Sequence, residues 1–192
     1  MLYALINDDR KCATPDLKNS LSVCPHCYES VIAKCGSLKI WHWSHQAYSS
    51  CDHEPETEWH LRWKERFPKE CVEVTVGVNR ADVLINDIAI EFQHSPISID
   101  TILQRQQAYK KMAWVFDARQ FNLNLRSRGE YESFRWYWPH RTLACINPVE
   151  IGLYFDFDDD SLLNIRKVHW ESHIVGGWGY MLCKDEFLNS WS

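Results

Sequence analysis

Arg80–Ser95 reads RADVLINDIAIEFQHS. Two apolar runs, Ala81 to Ile85 and Ile88 to Phe92, are rich in β-branched residues and are separated by Asn86-Asp87, a pair that tolerates the left-handed conformations of a tight turn. The stretch predicts a β-hairpin. With a two-residue turn, Ile85 faces Ile88, Val83 faces Ile90, Asp82 faces Glu91 and Arg80 faces Gln93. Both runs are apolar on each face, as in a sheet covered on both sides, so two opposed carboxylates cannot simply turn to water. A cation is expected between them. Alternation places Gln93 and Arg80 on the same face as the acids, and the oxygen-rich set Asp82, Glu91 and Gln93 suits a hard divalent ion such as Mg²⁺. The plainer alternative is a surface acid pair neutralised by Arg80.

Composition narrows the function classes. The 192 residues suffice for one full domain with a small appendage. A formal charge of -5 gives no global basic footprint, so any nucleic-acid groove must be local. Ten tryptophans point to a heavily aromatic core or to surfaces where rings stack on a partner. The N-terminus lacks a basic segment and a cleavage-like site, and no run approaches the length of a membrane span, so a cytoplasmic setting without membrane is expected. In that setting eight cysteines point to metal more than to disulfides.

Upstream of the hairpin, Leu2 to Ile6 predicts a short strand. Cys24-Pro25-His26-Cys27 is followed by His42-Trp43-Ser44-His45. Two close pairs of ligands of the types zinc prefers, with a small hairpin over Val31 to Ile40 between them, predict a structural zinc site at Cys24, Cys27, His42 and His45. His26, Cys12, Cys35, Cys51 and His53 stay open as alternatives, Cys51 in place of one of the histidines. A helix is expected over residues 56–67, with Pro55 in its first turn and Asp52 or Glu54 near its start, ending at Pro68. Trp59, Trp63 and Phe67 form its core stripe, flanked by Glu58 on one side and His60 and Lys64 on the other.

Residues 71–78, CVEVTVGV, predict a strand leading into the hairpin, with Gly77 at a bulge or bend. Beyond the hairpin, Ser98 caps a helix over Ile99 to Met112, with Ile99, Ile102, Leu103 and Tyr109 partly covering one face, and Ala113 to Phe116 forms a buried strand. A helical crossover implies parallel pairing and a mixed sheet. Further on, Arg126, Arg128, Arg135 and Arg141 interleave with Phe134, Trp136, Tyr137 and Trp138. That mix suits a nucleic-acid backbone with stacked bases, and equally an aromatic hairpin packed on the sheet, the default expectation. Leu143 to Ile146, Gly152 to Phe157 and Leu162 to Val168 predict strands, and Asp158-Asp159-Asp160-Ser161 a turn without EF-hand spacing. Gly176-Gly177-Trp178-Gly179 predicts a flexible connection, and Met181 to Leu188 a C-terminal helix.

Several of these residues carry a family resemblance. Asp82 followed by Glu91-x-Gln93 resembles the core of the PD-(D/E)XK nuclease superfamily, with Gln where Lys is commoner. RADV followed by IEFQHS is similar to the nuclease domain of CoiA-like competence proteins, and CPHC followed by HWSH to their N-terminal zinc motif, with Trp43 where Phe is usual. Glu58-x-His60-x3-Lys64 resembles the family's first core helix, and Arg105-x3-Tyr109 its second. The resemblance implies an α/β, restriction-endonuclease-like fold with a mixed sheet flanked by helices. It places a zinc-binding module at residues 1–53 and the nuclease-like domain at 54–192, with a β-rich C-terminal extension from about 120. Asp82 and Glu91 then hold Mg²⁺ or Mn²⁺, Gln93 positions water or phosphate, and Glu58 is a third acid. His60, Lys64, Arg105 and Tyr109 approach the substrate, nucleic acid with DNA foremost. The competing expectation is a DNA-binding or protein-interaction module that retains the fold without turnover.

Overall fold

The computed structural model describes the chain except residues 47–50, 52–55, 120, 122, 138–141, 149, 158, 172–173 and 192, with only the backbone described at 136, 137 and 142. Asp52, His53, Glu54, Pro55, Trp138, Arg141 and Asp158 therefore lie outside the described residues. The chain is mixed α/β, with a large mixed sheet and few helices, and it divides into two units, Met1–Arg80 and Ala81–Ser192. Among the described residues no helix is long and apolar enough to cross a membrane.

The first unit carries a five-stranded antiparallel sheet of β1 (Tyr3–Ile6), β2 (Asp9–Cys12), β3 (Leu21–Val23), β4 (Ser30–Lys34) and β5 (His42–His45), in the order β2-β1-β3-β4-β5. Asn7-Asp8 closes the β1–β2 hairpin with both residues at positive φ, 52° and 66°, and pairs Ile6 with Asp9. Trp43, fully buried, packs with Met1, Ala4, Ala13, Cys24, Val31 and Ala33, while its Nε1 donates to Lys11 O at 3.0 Å. Helix α1 spans only Glu58–Lys64: the Thr57 side chain accepts from His60 N and the His60 side chain returns to the Thr57 amide, so the cap sits at Thr57. Its expected stripe is buried, with Trp59, Trp63 and Phe67 all inside. Strand β6 (Val72–Val76) follows, and Gly77 at φ +60° makes the turn after it.

In the second unit, β7 (Asn79–Ile85, starting at the unit boundary) and β8 (Ile88–Gln93) form the hairpin. Asn86 and Asp87 have φ of 50° and 61°, and the ladder pairs Ile85 with Ile88 and Val83 with Ile90, as two-residue arithmetic requires. Helix α2 (Ile99–Ala108) starts at Ser98, whose hydroxyl accepts from Thr101 N at 3.0 Å. It stops at Ala108, four residues before the expected end, and Met112 opens β9 (Met112–Asp117). Of its expected apolar face only Ile102 and Tyr109 are buried, whereas Ile99 and Leu103 are exposed. Strand β9 lies parallel to β8, the geometry a helical crossover permits.

The rest of the chain extends this sheet with β10 (Asn124–Ser127), β11 (Glu132–Tyr137), β12 (Gly152–Asp156), β13 (Ser161–Glu171) and β14 (Ile174–Cys183), closed by α3 (Lys184–Asn189). The order is β10-β11-β14-β13-β12-β9-β8-β7, with β12 parallel to β9. Two expectations fail here, and a third fails at its start, since Met181–Cys183 belong to β14 and the helix expected from Met181 begins at Lys184. Residues 142–145 form a 3₁₀ turn and not a strand. The glycine run 176–179 lies inside β14: a Cβ on Gly177 would come within 2.0 Å of Lys167 O and 2.5 Å of Phe134 Cζ, so the glycines let neighbouring strands and a ring approach closely.

Candidate functional site

In the first unit Cys24, Cys27, His45 and Cys51 converge, their ligand atoms all within 4.8 Å of one another. Cys27 Sγ is 3.2 Å from His45 Nε2 and Cys24 Sγ is 3.9 Å from Cys51 Sγ. Thiolates bound tetrahedrally to zinc at about 2.3 Å stand about 3.8 Å apart, so donor chemistry and spacing together suit Zn²⁺. Burial and the adjacent thiols of Cys27 and Cys24 push the Cys51 thiol up to about 12. Burial, then the Arg80 charge, lowers the His45 imidazole.

His42 is not part of this group. Both histidines lie on β5, and an odd separation of three along a strand turns their side chains to opposite faces; His42 Nδ1 instead stands 2.8 Å from Ile40 O. Cys51, named among the alternatives, occupies the fourth position. Cys35 donates to Thr14 O, Cys12 is exposed, and the His26 ring faces Thr75 Oγ1 at 3.4 Å.

In the second unit the acids of the hairpin sit differently from a simple cross-strand pair. Asp82 Oδ2 accepts from Phe92 N at 2.9 Å, so this carboxylate continues the ladder where the paired backbone leaves off. Glu91 is 1% exposed, and its Oε2 accepts from Arg105 Nη1 at 2.6 Å. The cation beside the acids is thus supplied by α2, and the Arg105 guanidinium also lies 5.8 Å from the Trp114 ring centroid. Tyr109, four residues on, shares this environment: burial, then the Glu91 charge, raises its phenol well above the ordinary value, and Asp82 adds to the effect. Gln93 is buried and its Nε2 donates to Ser95 O at 2.7 Å. Asp82, Glu91, Gln93, Arg105 and Tyr109 therefore belong to one neighbourhood on the α2 side of the sheet.

The remaining expected residues lie in the first unit. Glu58 is exposed and bound to Arg62 Nη2 at 2.6 Å, one turn along the helix. His60 serves the helix cap, its Nδ1 2.9 Å from Thr57 Oγ1. Lys64 is fully buried, with Nζ 2.7 Å from Glu56 and 3.3 Å from Glu73. Glu73 in turn accepts from Leu2 N at 2.8 Å, and Arg80 reaches Glu56 at 3.4 Å. Burial opposes the charge on Glu56, yet Lys64, the terminal amine and Arg80 hold its carboxyl well below the usual range. Nothing local in the sequence marks the buried Glu73 or the half-buried Glu56 as interior.

A second pair, His94 with Asp117, likewise has no local sequence signal. His94 Nδ1 lies 2.5 Å from Asp117 Oδ2, and Arg119 Nε donates to the other oxygen at 2.8 Å. Burial works to raise the Asp117 carboxyl, but the bonds from Arg119 and His94 outweigh it and hold it low. The pair forms because β8 and β9 run parallel and end together, a pairing absent from either local sequence.

No curated protein and no solved structure matches the chain. Residues 9–54 match "Competence protein CoiA, N-terminal domain", and residues 70–169 match "Competence protein CoiA, nuclease-like domain". The first match contains Cys24, Cys27, His45 and Cys51, and the second contains Asp82, Glu91, Gln93, Arg105 and Tyr109. The two matches follow in family order and the second alone spans more than half of the 192 residues, so the chain belongs to the CoiA competence-protein family.

Proposed function

We propose that this protein is a Mg²⁺- or Mn²⁺-dependent nuclease of the PD-(D/E)XK type that hydrolyses phosphodiester bonds in DNA, with residues 1–53 as a zinc-stabilised module. The observation that carries this reading is the convergence of Asp82, Glu91, Arg105 and Tyr109 around one buried carboxylate, inside the segment matching the nuclease-like domain. Asp82 and Glu91 are hard oxygen donors on adjacent strands, one step beyond the Val83–Ile90 pair, the chemistry a divalent ion selects. Such an ion, when bound, offsets phosphate charge and lowers the pKa of a coordinated water.

The chain's own groups supply the rest. Gln93 carries no charge, and its side-chain carbonyl can accept from a water while its amide is held by Ser95 O. Arg105 brings the positive charge to this neighbourhood that a lysine at position 93 would bring, and its planar fork suits phosphate oxygens. Tyr109, kept neutral by burial and by Glu91, retains its hydroxyl proton and can donate it to a phosphate oxygen.

One observation favours a second reading. Glu91 is already bonded to Arg105, the state expected of a neutralised site in a DNA-binding module without turnover. Cleavage assays separate the two. Zinc-replete protein with Mg²⁺ or Mn²⁺ cleaves plasmid or single-stranded DNA, and Asp82→Ala or Glu91→Ala lowers the rate at least about 100-fold, with folding and zinc content unchanged. Equal activity in wild type and variants, including none, assigns the protein to the binding reading.

A further inference from the structure

Strands β10, β11, β14 and β13 carry a second surface, remote in the sheet order from the carboxylates. The registers place Arg126 opposite Ser133, Ser133 opposite Trp178 and Trp178 opposite Lys167. Two residues along, Asn124, Arg135, Gly176 and His169 form a parallel row on the same face. The row between them, Leu125, Phe134, Gly177 and Val168, points the other way, with Phe134 buried 5.8 Å from the Phe155 ring. In β11, β14 and β13 this row lies toward the core while the rows on either side of it meet solvent; β10, last in the sheet order, is exposed throughout.

The solvent face combines rings with cations. Tyr131, Trp178 and Tyr180 form a row with successive centroids 5.6 Å apart, and Tyr131 and Tyr180 are 40% and 43% exposed. Arg126, Arg128, Arg135 and Lys167 surround them, all exposed. The acids nearby are Glu130 in the hairpin turn, Glu132 on β11, which alternation turns to the other face, and Glu171, which pairs with Arg135 at 3.3 Å. A Cβ on Gly176 would meet His169 Nε2 at 2.6 Å, so the imidazole lies over the glycine and adds another ring to the surface. Local positive charge thus stands out against a chain of net charge -5.

We propose that this face is a docking platform for single-stranded nucleic acid. The cations meet phosphates, and bases stack on Trp178, Tyr131 and Tyr180. Rings on a strand surface reach the face of a base only when that base is not stacked in a duplex, and such stacking tolerates any sequence. The platform is separate from the carboxylate site: Glu91 shares its face with Trp114 and Leu153, and through Phe155 with Leu163, whereas Tyr180 aligns with Asn164, on the opposite face. It therefore holds nucleic acid away from the bond under attack, whether or not that site turns over.

Fluorescence anisotropy tests this on the full, zinc-replete chain, with a labelled oligo-dT of about 20 nucleotides, long enough for several stacking contacts, and no added divalent ion. Trp178→Ala weakens binding about tenfold or more, while Trp178→Phe stays within about twofold of wild type. Arg126→Glu combined with Lys167→Glu, both fully surface changes, reduces the slope of log affinity against log salt by about 1.4. Binding is read without divalent ion, where the carboxylate site does not turn over, so its failure and a failure of cleavage are distinguishable. No binding by wild type, duplex bound as tightly as single strand, or unchanged affinity in both Trp178→Ala and the double charge reversal overturns it.

Discussion

At the scale of single residues, burial decides what a charged group does. Lys64 sits on a helix flank where a sequence reading sends it to phosphate, yet it is enclosed between Glu56 and Glu73. Removing one partner of a buried charge group leaves the others uncompensated, so Lys64→Met destabilises the protein by about 3–5 kcal/mol in chemical denaturation. Asp117 tests the same logic through pH. Its folded pKa is depressed, so its contribution is complete above the unfolded value of about 3.9 and disappears as pH falls through the folded one. The stability gap between wild type and Asp117→Asn is therefore present at about pH 5 and closes below about pH 4 in urea melts at each pH. For the metal centre, elemental analysis finds about one zinc per chain in wild type and His42→Ala and loss of that zinc in Cys51→Ser, because a strand turns His42 away from the cluster.

At the scale of elements, the two Asn-Asp turns are instructive. LINDDR at 5–10 and LINDIA at 84–89 use the same pair with both φ positive, and both close two-residue hairpins. Apolar alternation advertised the second but not the first, whose return strand Asp9–Cys12 is polar and mostly exposed. Strand β14 teaches the converse. Its glycines look like a linker in sequence, but they are spaced so that β13 and the Phe134 ring can come close. Gly177→Ala forces a methyl onto backbone that cannot move aside and costs about 1–3 kcal/mol, measurable as a lower denaturation midpoint with unchanged slope.

At the scale of the whole molecule, the proposed zinc module makes the first unit the one whose stability should respond to metal removal. Its sheet strands run to five residues at most and its core is small around Trp43, conditions under which a bound ion supplies much of the folding energy, about 10–16 kcal/mol in isolated zinc fingers. Chelation therefore raises hydrogen exchange across β1–β5, while amides of β8, β9 and β12 keep their protection; uniform loss in both units contradicts this. The sequence by itself determined the Asp82–Glu91 hairpin, the capped helix after it and the cysteine-histidine motif, because turn chemistry, alternation and close ligand spacing are local signals. Only the tertiary structure decided that Arg105 neutralises Glu91, that Cys51 replaces His42, that His94 meets Asp117, and that cations and rings gather on one face of β10, β11, β14 and β13. The last two depend on which strands pair and in what register, and the first two on where a helix and a loop pack, and both are set by burial of the whole unit, not by any one segment.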